Sequence, residues 1–169
     1  SLSSSLSNGD ELPSWLNFNS SIGTFTGTPT NEHVGSISVR VFATDTSNSS
    51  IYADTIFTIQ NTNDAPTIIS TPSTTVTEDN YYKYIIYVNE IDVGDTTAVT
   101  IVEKPNWLNF NSSNNLLSGT PTNSDVGTHS VQIKALDNNA GEVIQSFTIE
   151  VSNSNDAPVV INPLQDQNV

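Results

Sequence analysis

Apolar and polar positions alternate with a period of two along most of the chain, and that period predicts strands. His129, Val131, Ile133 and Ala135 share one parity, with Ser130, Gln132 and Lys134 on the other, as in a strand with one buried face. Val143, Phe147, Ile149 and Val151 line up against Ser146, Thr148 and Glu150 in the same way. Earlier in the chain, Ile37, Val39, Val41 and Ala43, followed by residues 51–59, repeat the pattern. Tyr82, Tyr84 and Ile86 alternate with Lys83, Ile85 and Tyr87, a segment apolar enough to be buried on both faces. Residues 97–103 form a short β-branched strand, and 73–77 an edge-like opening strand after the Pro72 break. No stretch keeps helical spacing for three turns. Six or seven short strands in some 92 residues, separated by turn residues, predict an all-β fold of Greek-key sandwiches shaped like immunoglobulin or cadherin domains.

The pattern is written twice. Residues 13–66 recur as 105–158 at a constant offset of 92, with 24 of 54 positions identical and no gap. Trp15-Leu16-Asn17-Phe18-Asn19 returns at Trp107–Asn111, Gly27-Thr28-Pro29-Thr30-Asn31 at Gly119–Asn123, and Asp45 at Asp137. The run closing in Asn63-Asp64-Ala65-Pro66 returns as Asn155-Asp156-Ala157-Pro158. An ungapped period of this length denotes a string of like modules, an architecture suited to reach and binding. The expected division is 1–64 as the later two thirds of a first repeat, 65–156 as a complete second repeat, and 157–169 as the opening of a third. On that reading the chain is an excerpt whose first repeat lacks its opening strands.

Charge narrows the partners. Eighteen acidic residues stand against four basic ones, a net charge of −14 that repels nucleic acid and anionic membrane surfaces. Such an imbalance either invites divalent cations or simply keeps the surface soluble. There is no cysteine, hence no disulfide framework, and no apolar run of membrane-spanning length. Absent Cys and Met beside abundant Ser, Thr and Asn suit an extracellular, cell-surface repeat. Trp15 and Trp107 are expected core anchors, with a sugar-stacking platform as the alternative. Gly119 is expected to supply an unusual backbone angle and Pro121 to end the strand before it. His33 aligns with Asp125 and His129 with Ile37, so neither histidine repeats, and no spacing suggests a nucleophile and base. The chain is not expected to be an enzyme.

Thr77-Glu78-Asp79, Glu90-Ile91-Asp92-Val93-Gly94-Asp95, Pro105–Phe110, Leu117–Pro121, Asp125-Val126-Gly127, Ala135-Leu136-Asp137 and Asn155-Asp156-Ala157-Pro158 together resemble the dystroglycan-type cadherin-like domain. Such domains occur in tandem in large bacterial surface adhesins. The resemblance implies Ca²⁺ at the junctions of successive modules. Its ligands would be Asp64, Glu90, Asp92 and Asp137 as anions, with Asn61 and the Asn63 carbonyl as neutral donors. Asn61 and Ala65 depart from the family's linker, which carries Asp and Asn there. Glu32, Glu78 and Asp156 are weaker candidates, and Asp95 either binds metal or caps the Gly94 turn.

The function these readings predict is a Ca²⁺-stiffened extender or adhesion module of a long cell-surface protein, with neighbouring repeats and calcium as partners. The alternative is a module that binds glycan or another copy of itself, through Tyr52, Tyr81 and Tyr87 or by strand exchange between chains.

Overall fold

The computed structural model describes residues 1–159. The third-repeat opening expected at 157–169 therefore lies largely outside the described residues. Two compact units emerge: unit 1 holds Ser1–Asp64 with Ile91–Thr96, and unit 2 holds Ala65–Glu90 and the chain from Thr97 onward.

Unit 1 carries β1 (Leu2–Leu6), β2 (Leu16–Asn19), β3 (Thr24–Gly27), β4 (Gly35–Thr44) and β5 (Ser50–Ile59). β1, β4 and β5 make one antiparallel sheet, in which β5 forms an edge, and β2 and β3 make a hairpin. The hairpin packs on the sheet through Phe25, whose ring centroid lies 5.2 Å from that of Phe57 and 4.7 Å from that of Phe18.

Unit 2 carries β6 (Thr67–Ile68), β7 (Thr75–Thr77), β8 (Tyr82–Ile85), β9 (Val88–Asn89), β10 (Thr97–Glu103), β11 (Leu108–Asn111), β12 (Leu116–Gly119), β13 (Gly127–Asp137) and β14 (Glu142–Ser152). One sheet runs β10-β13-β14-β7, with β7 parallel to β14; a second runs β11-β12-β8; β6 pairs with β9. The core lies between the two larger sheets. Val131, Ile133, Ala135 and Ile149 come from one, and Tyr82, Tyr84, Leu108 and Leu117 from the other. Leu108, Leu117, Ile133 and Ile149 are fully enclosed, each worth about 1.5–3 kcal/mol of burial. The parity read for residues 129–135 and 143–151 holds.

Three expectations need correcting. The 82–87 segment is buried on one face only: Tyr82, Tyr84 and Ile86 are enclosed, while Lys83, Ile85 and Tyr87 face outward. Its apolar outer face is the upper surface of a two-sheet fold that has no third layer among the described residues. The opening strand is also shorter than expected, at Thr75–Thr77. Gly119, finally, has no unusual backbone angle, since its φ is not among the positive values. It is required by close approach, because a Cβ there would lie 2.0 Å from the Trp107 carbonyl oxygen. Gly27 meets Trp15 in the same way at 2.1 Å, so both copies press a strand end against their tryptophan backbone.

The unrepeated histidines also find an explanation. Thr30 and Thr122 each open a 3-10 turn, and the third residue of the turn caps it. In unit 1 the cap is His33, whose Nδ1 accepts the Thr30 N–H at 2.9 Å; in unit 2 it is Asp125, which accepts from the Thr122 N–H and hydroxyl, both at 2.8 Å. Each tryptophan keeps a histidine neighbour by a different route, His33 against Trp15 at 5.4 Å and His129 against Trp107 at 6.0 Å.

Two outcomes follow. Gly119→Ala should lower the stability of unit 2 by about 1–3 kcal/mol in urea unfolding, whereas Thr120→Ala next to it should leave the midpoint unchanged. The Thr122 bonds hold the Asp125 carboxyl below its ordinary 3.8. A depressed carboxyl stabilises the fold above the unfolded value and ceases to as pH falls through the folded one. A carboxyl-carbon NMR titration should therefore place the Asp125 midpoint below 3.8, and exchange of the Thr122 amide should accelerate as the carboxyl protonates.

Candidate functional site

Three of the candidate ligands, Asp64, Asp92 and Glu78, fall at two places near strand ends. In unit 1 the capped 3-10 turn Asn31–His33 presents Asn31 to the end of the 61–64 segment. The Asn31 amide Nδ2 donates to Asp64 Oδ2 at 2.8 Å and to Asp92 Oδ1 at 3.2 Å. The Asp64 backbone N–H donates to Asp92 Oδ2 at 2.7 Å. Asp92 is buried at 4% exposure, while Asp64 lies at the surface. One amide nitrogen thus sits against an oxygen from each of two carboxylates. Asp92 also closes a turn through Asp95, whose N–H reaches the Asp92 carbonyl at 3.2 Å, with Gly94 at φ 94° between them. Thr30, Asn31, Glu32, Asp64, Ile91 and Val93 line a groove of about 590 Å³ over this cluster, with Val93 81% exposed at its rim.

In unit 2 Glu78, which follows β7, is buried at 1% exposure. Its Oε1 accepts the Ser154 N–H at 2.5 Å, and its own N–H reaches the Ser152 carbonyl at 3.0 Å. The other carboxylate oxygen, Oε2, is enclosed and has no hydrogen-bond partner. An enclosed carboxylate oxygen left without a donor costs about 1–3 kcal/mol or more.

The remaining candidates are more dispersed. Asp137 is 4% exposed, and its Oδ1 accepts the Asn139 and Gly141 N–H groups, both at 2.8 Å, closing the β13–β14 loop. Asp45 closes the β4–β5 loop in the same way, through Ser47 at 2.8 Å and Ser49 at 2.9 Å. The repeated aspartate thus has a turn-closing duty that the sequence reading did not assign to it. Glu90 is half-buried immediately after β9. Asn61 and Asn63 are exposed between β5 and β6, as is Asp156 beyond β14. Asp95 is half-buried in its turn and Glu32 is exposed on the groove. Among the described residues, no three His, Cys, Asp or Glu side chains gather into a metal-holding group. Two acids and an amide do converge. The residue that joins them is Asn31, to which sequence reasoning assigned no role; its neighbour Glu32 was only a weaker candidate.

Comparison with known proteins fixes the family. Residues 1–62 and 65–152 each match the model of the "Putative Ig domain" family, and the chain belongs to that family. Over 149 residues it is 32% identical to the "Serine-rich adhesin for platelets" of Staphylococcus aureus strain USA300; the match covers 83% of this chain and 6% of the relative's own length. Among solved structures, PcdhgB3 EC1-4 aligns at a TM-score of 0.63 and 16% identity, covering 91% of this chain and 41% of that one. Human CDH23 EC21-23 aligns at 0.59 and 14%, covering 91% and 56%. These likenesses place the fold with cadherin and immunoglobulin-like sandwiches.

Asn31→Ala tests the unit 1 cluster. It removes the donor shared by Asp64 and Asp92 and leaves a buried carboxylate next to a second one. Unit 1 should lose about 1–3 kcal/mol in urea unfolding at low ionic strength, and added salt should restore part of it.

Proposed function

We propose that the chain is an extracellular adhesion-type module of a long repetitive surface protein, whose acidic cluster takes up Ca²⁺ and so stiffens the segment leading from one repeat into the next. One observation carries the metal reading: Asn31 Nδ2 lies against Asp64 Oδ2 and Asp92 Oδ1 at 2.8 and 3.2 Å. The amide's donor edge occupies a spot that two carboxylates make strongly negative, which is where a cation is drawn. The donors are hard oxygens, the class calcium prefers, and turning the Asn31 amide over would offer its oxygen instead. Asp64 and Asp92 would be the anionic ligands. Asn61, the Asn63 carbonyl, Glu90 and Asp137 complete the set that resemblance to dystroglycan-type cadherin-like domains implies. Glu78, with its enclosed Oε2, fits the same chemistry at the end of the second repeat, where Asp156 follows.

Other features support the wider reading. An acidic chain with so few cations relies on outside charge to relieve repulsion. The S. aureus relative is by its name an adhesin, and the cadherin neighbours share the fold. A surface location agrees with both. A second reading, contact with glycan or a like molecule, draws on Tyr52, Tyr81 and Tyr87, which are 61%, 62% and 58% exposed.

Calorimetric titration of the chain with CaCl₂ should show saturable binding, and a hundredfold excess over Kd should add about 2.7 kcal/mol of stability. Asp64→Ala and Asp92→Ala should each weaken the binding at least tenfold while the circular dichroism spectrum stays that of a β protein. Heat traces identical for wild type and both variants would remove this site from consideration. Glycan binding that survives EDTA would favour the second reading.

A further inference from the structure

Tension on the chain reaches unit 2 from two sides, through the segment that enters at Ala65 and the segment that leaves β14 at Ser152. The incoming segment first forms the two-residue β6, paired with β9, and then β7. β7 and β14 lie side by side in one sheet and run parallel. Their register sets Thr75 against Glu150, Val76 against Val151 and Thr77 against Ser152. In a parallel pair, the incoming end of one strand and the outgoing end of the other lie at opposite ends of the ladder. A pull on Thr75 toward Ala65, opposed by a pull on Ser152, therefore drives the two strands past each other lengthwise. Every bond of the ladder is loaded at once. In an antiparallel pair those two ends would lie together, and the bonds would open one by one.

Further bonds extend the ladder beyond the strand ends. The Glu150 N–H donates to the Thr74 carbonyl at 2.9 Å, and the Glu78 N–H to the Ser152 carbonyl at 3.0 Å. The Glu78 side chain then reaches past the end of β14, where its Oε1 accepts the Ser154 N–H at 2.5 Å. Glu78 thus holds the outgoing chain twice, by its backbone and by its carboxylate. On the incoming side, the Tyr82 hydroxyl donates to the Ser73 carbonyl at 2.9 Å, and Gln145 Nε2, from β14 itself, donates to the Ser70 carbonyl at 3.0 Å. Water has little access to the middle of the ladder, since Val151 is 1% exposed and Val76 packs against the core. A hydrogen bond shielded in this way finds no replacement partner as it stretches.

We propose that unit 2 is a load-bearing module, in which the parallel β7–β14 ladder is a shear clamp and Glu78 is its latch. Its task is to keep the repeat folded while the chain is pulled from both sides. This function goes beyond calcium uptake and does not rest on it.

The test pulls the whole chain at constant force in EDTA, which separates it from the metal reading. The chain has no cysteine of its own, so one added at each end tethers it at those two points alone. Unit 2 is recognised by its larger step, because residues 65–152 release about 300 Å of chain and residues 1–64 about 200 Å, at ~3.4 Å each. Lifetime under load is the readout, since forced unfolding follows the unfolding rate. A second tether runs from Asn80→Cys, at an exposed position just past β7, to the C-terminal end. That pull acts on β7 and β14 from the same end of the ladder, and should shorten the lifetime at least about tenfold at equal force, the effect of one bond no longer shared. With the end-to-end tether, Glu78→Ala should shorten it about tenfold, while Glu78→Gln, which keeps an oxygen for the Ser154 N–H, should stay within about twofold of wild type. Equal lifetimes in the two pulling directions would overturn the clamp, whatever the Glu78 variants do. A Glu78→Ala lifetime equal to wild type would overturn the latch. Should Glu78→Ala fail to fold by circular dichroism, the pulling direction decides.

Discussion

A buried carboxylate needs donors, and this chain has few cations to supply them. Eighteen acidic side chains face four basic ones. The ion pairs seen among the described residues, Arg40 with Asp54 at 2.7 Å and Lys134 with Glu142 at 3.6 Å, lie on sheet surfaces, where they contribute little. The enclosed acids therefore draw on backbone N–H groups and amides. Asp137 takes Asn139 and Gly141, Glu78 takes Ser154, and Asp92 takes Asp64 together with Asn31. Each such bond pins a loop or a linker residue to a strand end. The scarcity of positive charge is thus converted into order at the ends of the strands. The same scarcity leaves Glu78 Oε2 enclosed without a hydrogen bond.

The repeat shows which parts of this order are fixed and which vary. Both copies keep the glycine against the tryptophan carbonyl, the aspartate closing the long hairpin and the threonine-led 3-10 turn. The cap of that turn changes from His33 to Asp125, because either side chain offers an acceptor to the threonine N–H. Geometry is conserved through exchange of chemistry. Each copy also sets a histidine beside its tryptophan, His33 from the 3-10 turn in unit 1 and His129 from β13 in unit 2.

The strands were legible because one face of each is buried and the other is not. β13 and β14 show it clearly, with Val131, Ile133 and Ala135 inside and Thr148 and Glu150 outside. Alternation misleads where an outward face is apolar for other reasons, as at Ile85 and Tyr87. Gly119 was misread since sequence cannot separate a glycine needed for its angle from one needed for its lack of a Cβ. The convergence of Asn31, Asp64 and Asp92 spans residues 33 and 61 apart in sequence. Nothing local marks it, and an asparagine next to a glutamate attracts less notice than the acid itself. The turn-closing duty of Asp137 was legible in principle from Asp137-Asn138-Asn139, a run rich in residues that bond their own backbone.

An exposed sheet edge is a hazard that folds suppress with lysine, proline or a bulge. β5 carries none of these. Its single charge, Asp54, is held by the forked guanidinium of Arg40, which also covers the Tyr52 ring at 4.0 Å. The rest of its sequence, Ser50-Ile51-Tyr52-Ala53 and Thr55-Ile56-Phe57-Thr58-Ile59, is the composition of a strand meant to be paired on both sides. β14, its counterpart, is paired on both sides, with β13 antiparallel and β7 parallel. The same apolar, β-branched composition is thus matched by pairing on both edges where the repeat carries its opening strands.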